Sequence, residues 1–342
     1  MESLETTGSK SALDFPGLIE LEQALGRARV TGSMLAARHK LGNEGDMRDI
    51  LSHFHTTLWQ RVGLPAQNSS TPLPVAPYRY LADSHHHPQH FVLALDPVHL
   101  RPEQDRLLLF PAERFGITQP EADSLVAAFN DHFADRNLKL IAPTPVHWYL
   151  INPPATDIHT IPPYEVEGRN INLAMPSGTD ARFWNAVLNE TQMLFYQAEV
   201  NQAREAEGKA TINGVWPHSG GNIQHPPHTA CDTLFTDEPV TVGLMMAAGG
   251  SALPIQQLAA PEKGYSLAVL DQLIAPALAQ QPQQWLDTLT DVVKQIQPLI
   301  RWVGSGARKL TINPCDGRSF AIDSTSSLRF WRRRRRLDNL AK

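Results

Sequence analysis

Residues 200–221 read VNQAREAEGKATINGVWPHSGG, and the change of character along this stretch decides how the chain on either side is read. Val200 to Glu207 contains neither Gly nor Pro and continues a helical pattern. Asn201 and Arg204 stand three residues apart, so they share one helix face. Gly208 supplies the positive φ that closes a helix, and Asn213 to Trp216 has the composition of a short strand. Gly220 and Gly221 then let backbone amides approach a ligand or another chain closely. Arg204 offers a planar fork of donors, the Asn side chains add neutral donors, and a glycine turn can form a concave nest of N–H groups. Asn201, Arg204, Asn213, Trp216, Gly220 and Gly221 are therefore a candidate ligand-binding set for a small phosphorylated or carboxylate anion. The same residues also read as a cap, a turn and a core Trp.

Upstream, ARFWNAVLNETQMLFYQA places Trp184, Val187, Leu188, Thr191, Phe195 and Ala198 on one helical face, with Asp180 as expected N-cap. Earlier still, FVLAL and RLLLF read as paired strands joined by DPVHLRPEQD, a turn-bearing connection. Thr118 and Glu121 form a capping box with Pro120 in the first turn, ahead of the stripe Ala122, Leu125, Val126, Phe129 and Phe133. LKLIA and VHWYLI add two strands, so residues 90–152 predict a small α+β layer. Downstream, GLMMAAGG predicts a helix, two more helices are expected between Leu267 and Trp302, and RKLTIN and SFAID flank hairpin chemistry at Asp316 and Gly317. The fold class is α/β of the mixed α+β kind, small mixed sheets with packed helices behind an N-terminal helical segment. The expected divisions are a helical segment at 1–64, a Pro-rich linker at 65–80 bearing Pro65, Pro72, Pro74 and Pro77, an α+β subdomain at 81–180, and a mixed α/β region at 181–342 with a basic tail.

At 342 residues the chain is long for one typical core. A net charge of −5 gives no general attraction to nucleic acid or an anionic membrane. Cys231 and Cys315 are the only cysteines, which fits a reducing compartment, and MESLETTGSKSALDFPG lacks the apolar core of a signal peptide. A cytoplasmic protein is the expectation, with no membrane or nucleic-acid partner and with any protein partner unidentified.

Histidines cluster twice. His85, His86, His87 and His90 follow Asp83, while His218, His225 and His228 precede Cys231 and Asp232. The first set could bind a divalent transition metal ion and also reads as a solvated loop, while the second offers usable ligand types without a recognised zinc spacing. Arg332 to Arg336 are five consecutive arginines behind Phe330 and Trp331, either a solvated run or an interaction tail for nucleic acid or an acidic partner. No phosphate loop, dinucleotide fingerprint, nucleophile elbow or C-x-x-C is present.

The segments DPVHLRPEQDRLLLF, EGRNI, ARFWNAVLNETQMLF, VNQAREAEGK and FWRRR, in that order from about residue 90 onward, together resemble the bacterial RpfE-type regulatory proteins. A more distant resemblance lies in V-N-x-x-R-x-x-x-G-x-x-x-x-N, carried by Asn201, Arg204, Gly208 and Asn213 with Gly221 beyond. It is similar to the substrate-covering part of the archaeal-type cofactor-independent phosphoglycerate mutases. That resemblance implies metal ions held by Asp and His and a Ser nucleophile, yet no Asp-Gly precedes Asp316 and the single Asp-His, Asp131–His132, falls in an amphipathic helix. The combination implies a non-catalytic regulatory or ligand-binding protein, a pseudoenzyme needing no cofactor, with a small anion as expected ligand. The alternative is a mutase-like phosphotransferase or phosphatase whose divalent metal would be drawn from Asp83, His85, His87, Asp96 and His99.

Overall fold

Val92, Leu93, Ala94 and Leu95 open a strand with apolar side chains on both faces, the composition of a strand covered from both sides. The computed structural model describes residues 74–223, 231–260, 264–278, 281–304, 309–312 and 320–323, and in it this strand, β1, runs over Val92–Glu103. It pairs antiparallel with β2, Arg106–Pro111, from Val98 opposite Pro111 to Glu103 opposite Arg106. DPVHLRPEQD is thus strand almost throughout, not a turn-bearing connection. The reversal is confined to Gln104 and Asp105, with Gln104 at φ 55° as tight hairpins demand.

The first half of β1 has a neighbour on each edge. Val92 stands opposite Ile151 of β4, Tyr149–Ile151, and opposite Gly221 of β5, Gly214–Gly221. β3, Leu140–Ile141, completes a five-stranded sheet in the order β2-β1-β4-β3, with β5 also on β1. Leu93 and Leu95 face a core with Leu125, Phe129, Trp148 and Trp184, carried partly by α2, Gln119–His132, and α4, Ala181–Tyr196. The capping box forms as expected at the start of α2. At α4, Asp180 is the N-cap residue, but its carboxylate accepts from the Asp157 N–H and not from the helix. The opposite sheet face carries Val92 and Ala94 with Tyr149, packed on Ala76.

Ala76 belongs to α1, Val75–Ser84, so the expected linker does not extend to residue 80. Pro77 is accommodated because it sits in the first turn, where its missing N–H would have had no helical partner. A short helix α3, Pro163–Val166, contributes Val166 to a side cluster with Val98, Leu100 and Trp216. α5, Glu199–Ala206, ends in Gly208 at φ 69° and feeds β5. α6, Pro239–Ala247, is capped by Glu238, which accepts from the Val240 and Thr241 N–H groups and the Thr241 hydroxyl. These elements form one compact unit that also contains α4, α5 and β5, so the division expected at residue 180 falls inside it.

A second unit takes the described residues of 231–237 and those from Ala252 onward. Its β6, Thr233–Phe235, pairs in parallel with β7, Ala252–Leu253, and β8, Ser266–Ala268. Helices α7, Ile274–Leu278, and α8, Pro282–Gly304, follow, the latter burying Trp285, Leu289, Val292 and Val293. β9, Lys309–Ile312, and β10, Phe320–Asp323, pair antiparallel as the hairpin reading expects, while Asp316 and Gly317 lie outside the described residues. So do the N-terminal helical segment, Cys315 and the arginine run. Among the described residues, no helix is long and apolar enough to cross a membrane.

Among the described glycines the closest neighbour is met at Gly243 of α6, where a Cβ would come within 1.8 Å of the Tyr78 carbonyl oxygen of α1. Gly243→Ala should therefore force α1 and α6 apart and cost about 2–3 kcal/mol, as overpacking of a close contact does. Urea unfolding with an unchanged midpoint would contradict this packing.

Candidate functional site

Side chains alternate along a strand, so Asp96 projects from β1 on the same face as Val92 and Ala94, beneath α1. A carboxylate is costly there unless its oxygens are satisfied. Arg79 of α1 meets it with a two-pronged pair, Nη2 to Oδ1 at 2.7 Å and Nη1 to Oδ2 at 2.8 Å. The Trp148 backbone N–H donates to Oδ1 at 3.1 Å, and His218 Nε2 of β5 lies 2.7 Å from Oδ2. Arg79 Nε also donates to the Tyr149 hydroxyl at 2.8 Å. That hydroxyl donates to Asp83 Oδ2 at 2.5 Å, and the same oxygen lies 2.8 Å from His147 Nδ1. The result is a continuous chain His218–Asp96–Arg79–Tyr149–Asp83–His147, linking α1 to β1, β4, β5 and the segment before β4. Among the described residues, His147 Nε2 has no hydrogen-bond partner.

Burial alone would raise the Asp96 carboxyl, but Arg79 and then His218 outweigh it and hold it well below the usual carboxylate range. Burial would likewise lower the Arg79 guanidinium, and Asp96 holds it fully charged. Burial pushes the Tyr149 phenol well above its ordinary value. His218 is lowered, chiefly by burial and then by Arg79, although Asp96 pulls the other way. Its neutral ring then donates from Nε2 to Asp96, and Nδ1 accepts from the Ser219 hydroxyl at 3.0 Å. Glu113, exposed after β2, and Glu238, buried at the start of α6, complete the charged surroundings of the network.

The residues singled out around Arg204 have different employment. Arg204 is 2% exposed. Its Nε donates to Ala210 O, Nη1 to Glu121 Oε1, and Nη2 to the carbonyls of Phe115 and Gly116. Asn201 Nδ2 donates to the carbonyls of Phe195 and Ile212 and its Oδ1 accepts the Ile212 N–H, while Asn213 exchanges two bonds with the Leu100 backbone. Trp216 Nε1 donates to Ile161 O. Gly220 and Gly221 lie within β5, where a Cβ would strike the Phe91 ring at 2.8 Å or Pro74 Cβ at 2.3 Å. Here the glycines admit neighbouring side chains, and the strand replaces the expected nest of amides.

The structure also separates the metal candidates. His85 and His87 are exposed, and Asp83 and Asp96 belong to the buried chain. His99 Nδ1 lies 2.9 Å from Thr211 O. Among the described residues, no group of three or more His, Cys, Asp or Glu side chains is arranged to hold a metal ion. His225 and His228 lie outside those residues, while Asp232 accepts the Tyr265 N–H. Sequence reading missed Arg79, His147 and Tyr149. Arg79 and Asp83, four apart on one helix face, were a usable signal hidden by the prolines around them. An open cleft of about 640 Å³ lies where β1 begins and β4 and β5 end, walled by Pro88, Pro153 and Pro154.

No protein-family model and no curated protein matches the chain. Two solved structures show a distant structural similarity. The cofactor-independent phosphoglycerate mutase from Thermoplasma acidophilum DSM 1728 is 13% identical with a TM-score of 0.36, over 82% of this chain and 75% of that one. The PH0037 protein from Pyrococcus horikoshii is 10% identical with a TM-score of 0.42, over 73% of this chain and 63% of that one.

His218 yields a signed pH dependence. Its folded pKa lies below the ordinary 6.5, so the unfolded chain binds the proton more readily. The stability it contributes is present above pH 6.5 and declines as pH falls below that value toward the folded pKa. Nitrogen-detected NMR should find the neutral His218 ring carrying its proton on Nε2 and a titration midpoint below the ordinary 6.5, and a midpoint above 6.5 would contradict the assignment.

Proposed function

We propose that this chain is a non-catalytic, cytoplasmic binding protein with a regulatory role. The observation that carries the reading is the commitment of its best chemical groups to the fold. Both oxygens of Asp96, both ring nitrogens of His218 and every nitrogen of Arg204 already have protein partners. An acid, base or anion clamp must exchange partners during a reaction, and groups saturated in a buried network resist that exchange. The sequence resemblance to RpfE-type regulatory proteins supports the regulatory part. The anion expected at Arg204 would have to displace Glu121 from an almost fully buried guanidinium, so the binding role does not depend on that position.

One arrangement favours a second reading. Asp83 orients His147 through Nδ1 and leaves Nε2 open, and the His147 side chain keeps 17% of its surface exposed. An oriented imidazole of this kind can act as a general base. Purified protein should give no turnover of phosphoglycerates or p-nitrophenyl phosphate above a buffer control, with or without added Mn²⁺. Turnover that disappears in a folded Asp83→Asn variant would overturn the non-catalytic reading in favour of this one.

A further inference from the structure

We propose that the cleft at the start of β1 binds an uncharged, hydroxyl-rich ligand of the size of a mono- or disaccharide; this deepens, and rests on, the binding-protein reading above. Its volume of about 640 Å³ lies inside the roughly 300–1,000 Å³ of small-molecule sites. Among the described residues that line it there is no Asp, Glu, Lys or Arg, so these residues offer a phosphate or carboxylate no Lys or Arg to compensate for lost hydration. What lines it instead is a set of groups able to hydrogen-bond in either sense, the side-chain amides of Gln89, Asn152 and Asn222 and the Thr156 hydroxyl, with the His90 ring beside them. Sugar hydroxyls have the same dual character. Phe91 adds an apolar surface of the kind that takes the C–H face of a sugar ring.

The site is also held in shape before any ligand arrives. Pro88, Pro153 and Pro154 stiffen its walls. Asn152 is fixed at φ 51° with its N–H donating to Phe91 O at 2.7 Å. The Phe91 ring lies so close to Gly220 that a Cβ there would fall 2.8 Å from it. Such preorganisation lowers the ordering cost of binding. An extended peptide fits less well, because strand addition needs a free edge. Val92 already has Ile151 on one side and Gly221 on the other, and the Phe91 carbonyl is taken.

The test is an NMR titration of the full chain with glucose, N-acetylglucosamine, maltose and trehalose, alongside inorganic phosphate, acetate and a proline-rich peptide. At least one sugar should shift the Gln89, Asn152 and Asn222 side-chain amides saturably, with a Kd of about millimolar or below. The Gln89→Ala/Asn222→Ala double variant changes two exposed side chains and should keep the parent spectrum elsewhere while weakening that sugar about tenfold or more. The proposal is overturned if no sugar saturates, if only phosphate or the peptide does, or if the double variant binds equally well. Conversion of the bound sugar during the titration would end the non-catalytic reading while leaving the cleft assignment standing; absent binding would do the reverse.

Discussion

A carboxylate placed in the middle of a strand flanked on both edges must find its hydrogen bonds inside the protein, and Asp96 finds them on three separate elements. Arg79 reaches down from α1, His218 comes across from β5, and the Trp148 N–H approaches from the β4 side. Removing two charges from water costs several kcal/mol per ion, and only good geometry with complete hydrogen bonding offsets it. Here both oxygens are saturated. α1 is consequently held in register on the sheet, which fixes Tyr78 against Gly243 and brings Asp83 to Tyr149 and His147.

The local features of this fold were legible in the sequence, and the long-range ones were not. The capping box at Thr118 and Glu121, the α4 stripe from Trp184 to Phe195 and the Gly208 helix end depend on residues within one or two turns, and each appears as read. Asp96-Pro97 was misread because an Asp-Pro pair opens turns in isolation, whereas here Pro97 lies in β1 opposite Val215. Nothing local indicates that Arg79 will pair with Asp96 or that Arg204 will pair with Glu121, 83 residues earlier. The glycines show the same limit: sequence reports that a side chain is missing, and only packing reveals that Pro74 and Phe91 occupy the space.

Arg79, Asp96 and Arg204 are buried and each is bound to other protein groups, whereas the described lining of the open cleft consists of amides, a hydroxyl, an imidazole and apolar side chains. A phosphate-handling site needs the opposite arrangement, with cations turned outward. The mutase-like pattern V-N-x-x-R-x-x-x-G-x-x-x-x-N is accordingly a description of a helix-to-strand corner: Arg204 closes it against Glu121, and Asn201 and Asn213 tie it to Ile212 and Leu100.

The central claim is that Arg79 and Asp96 act as one unit that anchors α1 to the sheet. A double-mutant cycle with Arg79→Met, Asp96→Leu and the pair, followed by urea unfolding, tests it most directly. Each single change should cost about 3–5 kcal/mol by leaving an uncompensated buried charge, and the double variant should recover much of that loss. Costs that simply add would contradict the account, because the two side chains would then be contributing independently.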